Sequence, residues 1–235
     1  MKKFAFTVAG IALLAVSARA AGTNLAWNDC LPGGGQIDRS VSCADVGSST
    51  MYVSFVPAAD FPSIGAVEAW IDVETATQTP ISSGSWWFPA SANTRWMAGG
   101  LEPPSGVCPS WWAGATNGPL TGFYNVSIVD GGARLRIRVL SLIAAGEERV
   151  ATAGHEYFGG SLTLKFSAGT SGDPECHAGG TLNIHDLVVL QPGIPDFHFN
   201  QTPEVSNTIT FRNPQDAGST PTAKSSWGAI KVLYR

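Results

Sequence analysis

Alternation of apolar and polar side chains runs through much of the chain and predicts β-strands. In residues 66–76 every second side chain from Val67 to Val73 is apolar, and the positions between them are mostly polar. Residues 133–143 repeat the pattern, with arginines on the polar face. Because successive side chains of a strand point to opposite sides, both segments are expected to have one buried face and one exposed face.

The same criterion identifies further strands and the turns between them. It predicts strands at residues 51–56, 123–129, 157–166 and 181–190, and a further hairpin from residues 197–199 and 208–211. Asp130-Gly131-Gly132 is a hairpin turn signal. The apolar alternation changes phase near His185 and Asp186, which predicts a β-bulge there.

These strands predict an all-β fold, an antiparallel β-sandwich or jelly roll, because strand and helix patterns do not alternate. We assign residues 21–212 to this domain, residues 213–225 to a polar linker, and residues 226–235 to a short C-terminal helical tail. The tail either docks on the domain or serves recognition or sorting. Residues 77–121 break the strand pattern, so short strands and ordered loops are expected there.

Residues 1–20 have the organisation of a secretory signal peptide. Lys2 and Lys3 precede an apolar run over residues 4–16, and small residues follow up to Ala20, so cleavage is expected before Ala21. The apolar run is short for a membrane span, and no later segment is long enough to be one. The protein is therefore predicted to be secreted, periplasmic or on the cell surface.

Charge and cysteine content fit an exported protein. The net charge is −4 at pH 7, which gives no basic field for nucleic acid or anionic membranes. The four cysteines are Cys30, Cys43, Cys108 and Cys176, and an even count in an exported chain predicts two disulfides. Of three pairings, Cys30–Cys43 with Cys108–Cys176 is favoured because the first closes a short glycine-rich loop. Their spacing does not predict a zinc site.

An acidic strip on the strand at residues 66–76 is one candidate for chemistry. Glu68, Asp72 and Glu74 share a face with Trp70, a combination that suits glycoside hydrolysis with a sugar stacked on the ring. Their spacing differs from the E-x-D-x-x-E pattern of laminarinase-like jelly-roll hydrolases. The favoured alternative is ion pairing with the arginines of residues 133–143, Arg134, Arg136 and Arg138, which would make the two strands sheet neighbours.

A tryptophan-rich region is the second candidate. It contains Trp86, Trp87, Trp96, Trp111 and Trp112. If exposed, these rings would form a ligand platform, because aromatic planes stack on sugars and anchor protein interfaces. If buried, they fill a loop-rich end of the core.

Several motifs together resemble a group of uncharacterised exported bacterial proteins. They are Asn28-Asp29-Cys30, Trp86-Trp87-Phe88, Trp111-Trp112-Ala113-Gly114, and the closing Trp227-Gly228 and Leu233-Tyr234-Arg235. That group has no established activity to transfer. The strand pattern is also similar to cohesin-like and carbohydrate-binding jelly-roll modules, and this resemblance implies a noncatalytic recognition role.

The sequence therefore favours an exported, noncatalytic recognition or cell-surface module whose partner is a glycan or a surface protein. Its recognition surface is expected to be the tryptophan-rich region between Trp86 and Trp112. The alternatives are a carbohydrate-active enzyme that uses Glu68, Asp72 or Glu74, and a structural subunit of a surface assembly. No cofactor is expected. Calcium stays open, because Asp130, Asp173 and Glu175 lie in predicted loops.

Overall fold

Two sheets account for most of the described residues in the computed structural model. The model describes residues 21–40, 47–76, 80–82, 96–99, 102–166, 176, 178–199 and 208–212. The strands are β1 (Gly22–Trp27), β2 (Asp38–Ser40), β3 (Gly47–Val56), β4 (Phe61–Ile64), β5 (Ala66–Thr75), β6 (Trp96–Gly99), β7 (Leu120–Val129), β8 (Arg134–Leu142), β9 (Arg149–Ala151), β10 (Tyr157–Phe166), β11 (Gly180–Leu190), β12 (Phe197–His198) and β13 (Thr208–Arg212). Short 3-10 turns occupy Leu31–Gly33 and Asp130–Gly132.

The predicted all-β class is confirmed. One sheet has four strands in the order β1-β3-β10-β6, and the other has the path β2-β13-β11-β5-β8-β7. β4 and β9 form a separate pair. Within the described residues, all strand pairs are antiparallel except β13 with β2. β7 and β8 form a long hairpin over residues 120–142, which turns at Asp130–Gly132 as the sequence predicts.

The main core lies between the two sheets. β10 packs against β5 and β8, and β1 packs against β11 and β13. The apolar positions of β5 between Val67 and Val73 are all buried, which confirms the face assigned from alternation. Each fully buried aliphatic side chain of this kind contributes about 1.5–3 kcal/mol relative to exposure. A Cβ at Gly160 would lie 3.3 Å from Ser141 Oγ, so the missing side chain allows close approach of β10 to β8.

The edge of β11 differs in part from expectation. The predicted bulge is confirmed, since the β11–β5 register shifts between Ile184 and Asp186. The predicted hairpin from residues 197–199 and 208–211 is wrong. β12 and β13 both pair with β11, one after the other along the same edge. Apolar alternation identified these strands, but it carries no information about which strand each one joins.

A loop covers the second face of the four-stranded sheet. Ser110 forms a parallel bridge with Phe158 of β10, and the backbone N–H of Trp111 donates to the Phe158 carbonyl at 3.3 Å. The Trp112 ring packs edge-on against Phe158, with centroids 5.2 Å apart. Tyr52 contacts the same ring from β3. This sheet is therefore buried on both faces in the region of β3 and β10.

A disulfide bond and the Asp29 carboxylate hold that loop in place. The disulfide bond differs from the cysteine pairing that the sequence favoured. Cys30 is bonded to Cys108, so the two predicted pairings, Cys30–Cys43 and Cys108–Cys176, are both wrong. Cys176 is also disulfide-bonded, and Cys43 lies outside the described residues. Asp29 accepts hydrogen bonds from the Ser105 amide at 3.0 Å and the Ser105 hydroxyl at 2.8 Å. The pairing predicted from the short loop between Cys30 and Cys43 failed because the fold brings Cys30 next to Cys108, a residue far away in the sequence.

The signal peptide, linker and C-terminal tail at residues 1–20, 213–225 and 226–235 lie outside the described residues, and their assignments stay predictions. Among the residues that are described, no helix has the length and apolar character needed to cross a membrane.

Candidate functional site

The outer face of the six-strand path carries an array of charged side chains around one tryptophan. We call it the arginine–carboxylate face; its members are Glu68, Trp70, Asp72, Arg134, Arg136, Arg138 and His185. Register explains the array, because Trp70 lies opposite Arg138 and Asp72 lies opposite Arg136 in the β5–β8 pair. Opposed residues of an antiparallel pair project to the same side. The predicted neighbourhood of these two strands is confirmed.

Asp72 is at the centre of the face. Arg136 binds it in a two-point arrangement, with Nε 2.7 Å from Oδ1 and a terminal nitrogen 2.8 Å from Oδ2. Arg134 donates to Oδ2 at 2.9 Å, and His185 Nδ1 lies 3.6 Å from the same oxygen. The Asp72 side chain is only 3% exposed. A buried carboxylate held by two guanidinium groups is fixed in position, because each displaced hydrogen bond would leave charge unpaired.

Arg138 has a carboxylate partner of its own, and Arg134 has a second one besides Asp72. Arg138 Nε donates to Glu68 Oε1 at 2.6 Å, and Arg134 Nε donates to Asp130 Oδ2 at 2.8 Å. The hydrogen bond to Asp130 raises the pKa of Arg134, and the hydrogen bond to Asp72 raises the pKa of Arg136. Both guanidinium groups therefore stay charged at any physiological pH.

Trp70 is surrounded by cationic and aromatic groups. The guanidinium carbon of Arg138 lies 4.2 Å from its ring centroid, and that of Arg136 lies 5.6 Å away. The His185 ring lies on β11 at 6.4 Å, tilted by 32°. Trp70 Nε1 is buried and has no hydrogen-bond partner among the described residues. Cation–π attraction and the ion pairs together hold the partly exposed ring in one orientation.

The bulge in β11 supplies the histidine. An extra residue in one strand re-aims the side chains beside it, and His185 reaches Asp72 from this position. The next residue, Asp186, lies opposite Trp70 and pairs with His198 of β12, whose Nδ1 is 2.7 Å from Asp186 Oδ2. The bulge thus adds His185 to a face that β5 and β8 otherwise define.

The structure places the predicted acidic strip in this face. Glu68 and Asp72 are both ion-paired across the sheet, as the favoured interpretation of the sequence expected. Glu74 is exposed beyond them near the end of β5, where its charge contributes to the raised pKa of Arg134. The arrangement offers fixed hydrogen-bond donors and acceptors beside an aromatic ring.

The tryptophan-rich region has a different character from the predicted platform. Trp96, Trp111 and Trp112 are 0%, 2% and 5% exposed, so these rings fill the core and offer no face for a ligand to stack on. The platform expectation is therefore wrong for these three. Trp86 and Trp87 lie outside the described residues, and for them it stays a prediction.

A calcium site has no geometric support among the described residues. Asp130 is engaged with Arg134, while Asp173 and Glu175 lie outside the described part of the chain. The described residues contain no group of three or more His, Cys, Asp or Glu side chains arranged to hold a metal ion.

Sequence reasoning missed a buried polar cluster on the loop-covered face. Glu156 Oε1 accepts hydrogen bonds from Asn24 Nδ2 at 3.0 Å and from the Ser54 hydroxyl at 2.6 Å. All three side chains are buried. Asn24 lies in β1, which the alternation did not reveal because all of its residues are buried. The sequence offered one indication of this cluster, the acidic residue Glu156 directly before the predicted strand at residues 157–166.

The chain matches no protein-family model, and the comparison with curated proteins found no significant match.

Proposed function

We propose that the protein is an exported, noncatalytic recognition module that binds a hydroxyl-rich ligand, a glycan, at the arginine–carboxylate face. The observation that carries the proposal is the fixed setting of Trp70, with guanidinium groups on β8 and an imidazole on β11. A binding site gains affinity when its contact groups are already held in place, because less conformational freedom is lost on binding.

The ligand class follows from the alternation of donors and acceptors. Arginine donors and the partly exposed carboxylate of Glu68 lie side by side around the ring, and sugar hydroxyls both donate and accept hydrogen bonds. Trp70 adds an apolar surface for the C–H groups of a sugar. A protein partner would need a larger apolar centre on this face than one partly exposed tryptophan provides.

The ion pairs favour recognition over hydrolysis. A glycosidase needs one carboxyl group to give a proton and another to act as base or nucleophile. Asp72 is buried and held by two arginines, and Glu68 is held by Arg138, so both carboxylates serve to position guanidinium groups. This supports the noncatalytic assignment over the enzyme alternative.

Glycan-array binding tests the proposal, using protein purified from an oxidising compartment after expression with its own leader. We expect binding to one or a few glycans, and a loss of at least about tenfold in Trp70→Ala and Arg138→Gln, since a few central groups dominate such sites. Arg149→Gln is the matched control, because that guanidinium bonds the Gly114 carbonyl away from the face. Retained folding of each variant is checked by circular dichroism.

Three outcomes would contradict the proposal. Binding that survives Trp70→Ala but is lost in Trp86→Ala or Trp87→Ala would move the recognition surface to the tryptophan-rich region. Release of reducing sugar from a bound glycan, abolished by Glu68→Gln, would establish the enzyme alternative. Absence of binding to every glycan would reject carbohydrate as the ligand.

A further inference from the structure

A cleft lies where three strands of the larger sheet end. It has a volume of about 360 Å³ and is lined by the start of β5, the end of β8 and the end of β11. Its apolar lining includes Ala66, Ile143, Leu190 and Pro192. The volume is in the range of small-ligand sites, which combine apolar walls with a few polar groups.

Each polar side chain that lines the cleft carries an acceptor oxygen. Glu148 and Asp196 bring two carboxylates, and Gln191 brings an amide. Gln191 is 8% exposed, and its Oε1 is buried without a hydrogen-bond partner among the described residues. An unpaired buried carbonyl oxygen is costly, and a donor from a ligand would relieve that cost. The described lining residues include no Lys, Arg or His.

Glu148 is held as an anion next to the cleft. Its carboxylate accepts the Gly146 backbone N–H at 3.0 Å. Hydrogen bonds from the backbone amides of Gly146 and of Glu148 itself lower the pKa of this carboxyl group, and the nearby charge of Arg149 adds to the effect. Arg149 directs its guanidinium to the backbone carbonyls of Glu148 and Gly114. The Glu148 carboxylate is thus ionised at neutral pH and remains available to a cation.

We propose that this cleft binds an alkylammonium group, with the ammonium between Glu148 and Asp196 and the alkyl chain on the apolar wall. A cation is favoured because both charged groups that line the cleft are carboxylates and the amide offers a further acceptor. An apolar body is favoured because the remaining lining is aliphatic. The cleft is separate from the arginine–carboxylate face, so this inference does not depend on the proposed function.

Amide NMR titration with n-butylammonium tests the proposal, with 1-butanol and butyrate as matched neutral and anionic probes. We expect saturable shifts at Gly65, Ala145 and Leu190, with a Kd on the order of 1–10 mM. 1-Butanol and butyrate should bind at least about tenfold more weakly, and salt should weaken butylammonium binding by screening. N-acetyl-lysine amide is a further probe, and its binding would identify protein lysines as a source of the group.

Substitutions locate the charges. Glu148→Gln and Asp196→Asn should each weaken butylammonium binding about threefold, the size typical of one exposed ion pair, and the double variant about tenfold. Glu147→Gln removes the same charge one residue away, from a side chain that does not line the cleft, and should leave binding unchanged. Equal affinity for 1-butanol and butylammonium, no saturable binding, or an equal effect of Glu147→Gln and Glu148→Gln would overturn the proposal.

Discussion

Replacing Arg136 with leucine removes the two-point partner of a buried carboxylate. Breaking a buried ion pair costs about 3–5 kcal/mol, because it leaves a charge without compensation. Arg134 remains 2.9 Å from Asp72 Oδ2 and retains part of the compensation, so we expect a loss of about 2–3 kcal/mol. In a domain of this size that corresponds to a fall in Tm of about 4–12 °C.

The assay is urea unfolding followed by tryptophan fluorescence, with the free energy of unfolding compared at equal m-values. Arg134→Leu is the matched control. Its guanidinium is shared between Asp72 and the exposed Asp130, so it should cost about 1 kcal/mol or less. The double variant Asp72→Asn with Arg136→Leu contains no uncompensated carboxylate, and a cycle should give a coupling energy of about 1–2 kcal/mol.

One pattern of results would refute the reasoning. If the free energy of unfolding of Arg136→Leu lies within about 0.5 kcal/mol of that of the unsubstituted protein, the buried Asp72 carboxylate does not need Arg136 for its stability. If the cycle gives no coupling while both single variants are destabilised, each side chain contributes through separate packing, and the ion pair does not fix the face.

Three further predictions follow from other parts of the molecule. Peptide mapping without reduction should recover Cys30 linked to Cys108, and another partner for Cys30 would contradict the structure. Replacing both cysteines with serine should lower the free energy of urea unfolding by about 4 kcal/mol, because the bond closes a long loop. Gly35→Ala should destabilise by more than about 2 kcal/mol in thermal melts, since its Cβ would overlap the Asp29 backbone oxygen. Gly47→Ala should be near neutral, since its Cβ would meet no atom of the described residues, and equal melting temperatures for the two variants would refute this. Burial, reinforced by the charge of Asp29, raises the pKa of Tyr52 above 10.0, so the neutral phenol contributes stability at lower pH that is lost as pH rises through the raised pKa. Tyr52→Phe should therefore reduce the fall in unfolding free energy at alkaline pH, and an unchanged fall would contradict the raised pKa.

The sheet that carries the candidate site could be predicted because its two faces differ. β5 and β8 alternate between aliphatic and charged residues, so their length, inward face and mutual pairing all follow from local pattern and charge complementarity. The bulge at His185 was predicted from a change of phase in the apolar alternation of β11. The consequence of the bulge, a histidine placed next to Trp70 and Asp72, needed the three-dimensional register.

The other sheet could be predicted only in part, because local pattern loses information where both faces are buried. β1 is buried at every position and has no polar face to reveal a period. The burial of Trp111 and Trp112 depends on a loop that bridges to Phe158, a contact set by the tertiary fold. The Cys30–Cys108 bond likewise joins segments 78 residues apart, which no local spacing rule could select.

The parallel pairing of β2 with β13 has a consequence for biogenesis. The hydroxyl of Thr210 donates a hydrogen bond to Asp38 across a sequence separation of 172 residues. β2 can therefore join the sheet only after β13, near the end of the described chain, has been synthesised. Contacts between such distant segments slow folding, because a large loop must close before they form. A polypeptide that stops short of Thr208 therefore lacks the strand that pairs with β2, and its larger sheet stays incomplete until that strand has been synthesised.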